Sequence, residues 1–177
     1  MWALNARKTE AAKYLLAHGA DANTRLKDGT TAVMMAARSP DNKELVAALT
    51  KAGADVTGEG NYGQTAISEI AAHGTVATVM DLMARGVRID PKGKSGKRAL
   101  WDAVVGGNTE LVKFFVAEGV DVNMVTPRSS SLLVEAVEYG GPDVLKALLD
   151  AGANPDNRGD GDTTPLIAAS LSLSINK

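Results

Sequence analysis

The sequence has no cysteine, only two histidines and few aromatic side chains, 4% of 177 residues. Without cysteine there are no disulfides, no zinc–thiolate sites and no thiol nucleophile. With so few aromatics, the core has to be built mainly from Ala, Leu, Val, Ile and Met. No apolar run approaches the roughly 18 residues that a membrane-spanning helix needs; "AVMMAA" is typical of the longest. The start, "MWALNARKTEAAKYLL", carries charge throughout and does not read as a signal peptide. A net charge of −2 creates no basic field for nucleic acid. These absences argue against nucleic-acid and membrane partners, and they suit a cytoplasmic setting. What is present, 45% apolar and 23% charged residues, is the composition of a soluble globular domain.

A period runs through the whole chain. "HGADAN", "AGADVT", "RGVRID", "EGVDVN" and "AGANPD" align on Gly19, Gly53, Gly86, Gly119 and Gly152, spaced 34, 33, 33 and 33 residues apart. Before each glycine stands a ten-residue segment such as "ELVKFFVAEG" or "DVLKALLDAG", with apolar residues at helical spacing. The pattern predicts a helix with one buried face, stopped by a left-handed glycine. Twelve residues after each glycine a second helix start is expected, at Thr31, Thr65, Arg98, Ser131 and Thr164. The Thr and Ser suit an N-cap, and Pro165 suits a first helical turn. Turn-rich stretches lie between: "TRLKDGT", "GEGNYGQ", "PKGKSGK", "MVTPRSS" and "NRGDGDT".

This order of hairpin, helix, short turn and helix resembles the ankyrin repeat family, over essentially the whole chain. The family pattern D-x-x-G-x-T-P-L-H-x-A-A, then G-H/N-x-E-I-V-x-L-L-L, then G-A-D-V-N, is visible in register. The resemblance implies an all-α solenoid of paired antiparallel helices joined by β-hairpin or turn fingers. It implies a partial repeat at 1–25, full repeats at 26–59, 60–92, 93–125 and 126–158, and a partial repeat at 159–177. The chain departs from the pattern in places. Only Pro165 fills the family's Pro slot, and its His slot holds Met34, Ser68, Trp101, Val134 and Ile167. The finger glycine matches only Gly29, Gly63 and Gly96, and "RSPDNKE" adds a residue to one interhelical turn. Both ends fall inside a repeat, which leads us to expect either a fragment of a longer array or ends covered by self-association.

Residues 58 to 63, "GEGNYG", match the G-x-G-x-x-G fingerprint of dinucleotide-binding proteins. That motif needs a buried apolar strand just before the glycines, and "GADVT" is too short and too polar. The match falls on a finger of the third repeat. "GKSGKR" lacks the P-loop's first glycine and its closing Ser or Thr, and "DNRGDGDTT" has Arg158 where a calcium loop needs a ligand. His18 precedes a helix-ending glycine, where it suits the helix C-terminus better than a metal. No catalytic, cofactor-binding or metal-binding residue is assigned, and none of these functions is expected.

The family resemblance implies a protein partner docked on the concave face of first helices and finger tips. On the fingers the candidates are Arg25, Lys27, Tyr62, Gln64, Lys94, Lys97 and Arg128. On the helical faces, spaced i, i+3 and i+4, they are Glu69, His73, Asp102, Glu135, Glu138 and Tyr139. Glu69, Asp102 and Glu135 share one helical column and read as an acidic ladder bordered by basic fingers. Trp101 is expected to pack between repeats. The rival readings are a structural spacer or oligomerising segment, and a regulatory ankyrin segment of a multidomain protein.

Overall fold

A computed structural model describes residues 9–38, 43–61, 63–84 and 86–175. Its helices follow the apolar periodicity: α1 (Thr9–Ala17), α2 (Ala32–Ala37), α3 (Lys43–Lys51), α4 (Ala66–His73), α5 (Val76–Ala84), α6 (Lys94–Val105), α7 (Thr109–Ala117), α8 (Leu132–Glu135), α9 (Gly141–Asp150) and α10 (Pro165–Ile175). A π-helical segment, Ala136–Gly140, continues α8. The extra residue expected in "RSPDNKE" lies outside the described residues.

The chain divides into two compact units, Met1–Arg88 and Ile89–Lys177. In the first, α2 packs against α3 and α4, α1 against α3, and α4 against α5. In the second, α6 meets α7, α8 and the π segment, and α7 lies along α9. There α10 packs on α8 and the π segment. Fully buried Leu100, Leu111, Phe115, Leu132 and Leu148 fill the second core, and Val33, Leu45, Ile70 and Leu82 the first. Small Ala36, Ala66, Ala71, Ala99 and Ala103, also buried, let neighbouring first helices approach closely.

The helix boundaries have local causes. The five periodic glycines have φ between +85° and +101°, the left-handed stop the sequence requires. Thr31, Thr65, Ser131 and Thr164 each accept a hydrogen bond from the backbone N–H three residues on. Met34 and Ser68, which stand in the family's His slot, return an acceptor to the N–H of the capping Thr and close a capping box.

The fourth repeat differs from expectation. Arg98 stands where the others carry a hydroxyl cap, and α6 starts a turn earlier, after Gly93. A Cβ on Gly96 would lie 2.2 Å from the Asp90 carbonyl oxygen, so glycine is what lets this extra turn seat on Asp90. The fingers are turns closed by single antiparallel bridges, Arg25 to Thr31 and Val125 to Ser131, with no longer ladder among the described residues.

Asparagine side chains tie successive repeats together. The Asn23 amide donates to the Gly53 carbonyl and accepts from the Asp55 N–H. In the second unit Asn123 does the same with the Gly152 carbonyl (3.3 Å) and the Asn154 N–H (2.8 Å). Each such bond contributes about 1 kcal/mol net. Asn123→Ala is therefore expected to destabilise the second unit by about 1–2 kcal/mol, read as a lower urea midpoint with an unchanged slope.

Candidate functional site

The three acids of the expected ladder are not a free acidic column. Each faces an arginine. In the first unit Arg38 clamps Glu69 through two hydrogen bonds, Nε to Oε2 at 2.8 Å and Nη2 to Oε1 at 3.1 Å. That pairing holds the Arg38 guanidinium above its ordinary range. In the second unit Arg98 Nε meets Asp102 Oδ2 at 2.7 Å, one helical turn away on α6.

Glu135 departs furthest from the expectation of a contact residue. Its side chain is only 2% exposed. It is tucked beneath its own finger, where the Thr126 hydroxyl donates to Oε1 at 3.2 Å. The same hydroxyl accepts the N–H groups of Arg128 and Ser130, so one threonine organises both the acid and the turn. Arg128 Nη1 lies 3.5 Å from Oε2, an ion pair too long for a good hydrogen bond. Oε2 is buried and accepts no hydrogen bond. A partner cannot touch Glu135 directly; its role is to anchor Arg128.

Aromatic faces hold the arginines as well. The Arg98 guanidinium lies 4.7 Å from the Trp101 ring centroid, and Arg128 lies 5.5 Å from Trp101 and 5.0 Å from Tyr139. Cation–π attraction operates at these separations. Arg98, Trp101, Arg128 and Tyr139 thus alternate cation and ring across two repeats of the second unit. Trp101 is buried, as expected for a packing residue, and its indole N–H makes no hydrogen bond. Tyr139 is 50% exposed, on the π segment, and Arg128 likewise keeps 50% of its side chain in solvent. Holding a long arginine this way removes rotamer freedom before any partner arrives.

The other candidates are scattered. Arg25 pairs with Asp55 at 3.5 Å and donates to the Glu59 carbonyl, so it links adjacent fingers. Hydrogen bonding, first from the Thr57 hydroxyl, keeps the Asp55 carboxyl below its usual range. Lys27 is exposed, and its carbonyl accepts from Asn61 on the next finger. Gln64 is buried, against its expected place at a tip, because it packs beside Gly60 inside the finger. His73 is the last residue of α4. Tyr62 lies outside the described residues. Lys94 and Lys97 are exposed but stand on the first turn of α6 rather than on a hairpin tip, since that helix starts early. Glu138 is exposed beside Tyr139. His18 Nδ1 lies 2.8 Å from the Tyr14 carbonyl oxygen at the end of α1, a capping geometry. Among the described residues no cluster of His, Cys, Asp or Glu could hold a metal ion, and no helix is long and apolar enough to cross a membrane. Thr126 was not among the sequence candidates; nothing in "MVTPRSS" marks its hydroxyl as the junction of finger and helix.

The family model for ankyrin repeats (3 copies) matches residues 1–60 and 100–176. The chain is a member of the ankyrin repeat family. Its ankyrin fold is similar to a solved structure, the human ASB11 ankyrin repeat domain, at 26% identity and a TM-score of 0.76, over 94% of this chain and 74% of that one. Among the curated proteins no match is found. Ankyrin repeats are generally protein–protein interaction modules and are typically non-catalytic.

Proposed function

We propose that the chain is a non-enzymatic interaction module that binds a protein partner on the face of first helices and finger tips, the concave face of the family, in the cytoplasm. The observation that carries this is the fixed charge of that face. Arg128 is held by a buried acid, a threonine junction and two aromatic rings while half of it stays exposed. Fixed, complementary charge steers encounter and selects partners.

The test is affinity capture with three proteins. A charge-reversed variant, the finger variant, carries Lys27→Glu on a finger and Lys94→Glu and Lys97→Glu on the first turn of α6, all at exposed positions. A control carries Lys113→Glu and Asp143→Lys, exposed on the second helices α7 and α9. The native chain and the control are expected to capture the same protein, and the finger variant to lose it while keeping its helical circular dichroism. Loss with the control alone would move the interface to the second helices.

A second reading, an oligomerising segment, is supported by the exposed Leu166, Ile167 and Leu171 of α10. Sedimentation separates the two, since that reading requires a concentration-dependent dimer that Leu166→Glu abolishes.

A further inference from the structure

The finger at 126–131, the π segment and the turn at 158–163 enclose an open cavity of about 320 Å³ in the second unit. Its walls carry four charges: Arg128, Arg158, Glu135 and Glu138. Glu135 and Arg128 balance each other at the base. Arg158 and Glu138 do not. Both are exposed, and neither forms an ion pair among the described residues. Asp160 and Asp162 follow Arg158 in the turn but do not line the cavity. The lining therefore offers one unneutralised cation and one unneutralised anion, together with the half-exposed ring of Tyr139 and the hydroxyl-bearing Ser129, Ser130 and Thr163.

A backbone hydrogen bond ties two of the walls together. The Asp160 N–H donates to the Ser129 carbonyl at 3.0 Å, which locks the turn carrying Arg158 onto the finger carrying Arg128. Ser129 sits at φ +60°, the only left-handed non-glycine among the described residues. A nucleotide or inorganic anion would meet Glu138 as well as the arginines. A uniformly basic segment would meet Arg128 and Arg158. The opposed charges fit a ligand that carries both signs.

We infer that this cavity is a peptide subsite for a neighbouring acidic and basic residue of a protein partner, the acid on Arg158 and the base on Glu138 and the Tyr139 face. This rests on, and deepens, the interaction reading above. Arginine presents a planar fork to a carboxylate, and Glu138 beside an aromatic face suits a lysine or arginine.

The experiment is selection of a random twelve-residue peptide library on the full 177-residue chain, followed by charge swapping. The recovered peptides are expected to share an acidic residue within three positions of a basic one. Arg158→Glu is expected to weaken such a peptide about tenfold, the scale of one charge-assisted hydrogen bond. Replacing the peptide's acid by lysine is expected to restore binding to that variant, and Glu138→Lys to behave reciprocally. Both positions are exposed, so circular dichroism should be unchanged. Recovery of no peptide, of peptides without the paired charges, or of peptides indifferent to both reversals would overturn the inference. If the captured partner is lost with the finger variant yet ignores Arg158→Glu and Glu138→Lys, the interaction reading stands and this subsite does not.

Discussion

Phe115→Ala is expected to cost the second unit about 4 kcal/mol, within the range for removing a buried phenylalanine. Phe115 is fully buried on α7, a helix that packs against both α6 and α9. The chain has only two phenylalanines, so few other large rings can close the gap. Its neighbour Phe114 meets it edge to face at 5.6 Å but is half-buried, and so supplies an internal control. Phe114→Ala should cost about 1 kcal/mol, the ring contact and some area. Against a total stability of about 5–15 kcal/mol, the first change should leave the second unit marginal at 37 °C. Urea melts followed by circular dichroism decide it: equal losses for the two alanines would mean that α7 does not bury the face assigned to it.

Gly159→Ala should cost about 3 kcal/mol, because two penalties combine. The residue has φ +68°, which an alanine adopts at a loss. A Cβ there would also lie 2.4 Å from the Ser130 carbonyl carbon and 2.6 Å from its oxygen, on the neighbouring finger. Backbone cannot swing aside as a side chain can. Gly152→Ala separates the two effects within the same unit. Its φ is +86°, yet a Cβ would meet nothing within 4 Å, so only the conformational penalty of about 1 kcal/mol applies. Melting midpoints of the two variants should therefore differ clearly, and matching values would show that the fingers are not in the contact described.

Much of the fold was legible because the repeat states the glycine stop five times and the hydroxyl cap four times. The glycine stops and the Thr and Ser caps act through local backbone geometry, and the sequence displays both. The register failed at Arg98, where the missing hydroxyl let α6 begin at Lys94; only the clearance at Gly96, a contact with Asp90, shows why. The π segment was not legible either. A turn of i to i+5 type depends on where Gly140 seats against Val104, which periodicity does not encode.

For the site, helical spacing pointed to Glu69, Asp102 and Glu135 as one column but could not report their partners. Arg38 lies 31 residues before Glu69, and the finger of the same repeat decides the burial of Glu135. A column of like charges in a sequence thus became a set of ion pairs in three dimensions. The exposed charge moved to Arg128, Arg158 and Glu138.

The most direct measurement is site-specific photocrosslinking in lysate, with p-benzoylphenylalanine placed once at Tyr139 and once at Lys146. Tyr139 lies on the π segment beside the held arginine, and Lys146 is exposed on the second helix α9. A partner docked on first helices and fingers predicts a discrete crosslinked protein from position 139 and none from position 146. A discrete product from position 146 alone, or identical products from both, would contradict that account.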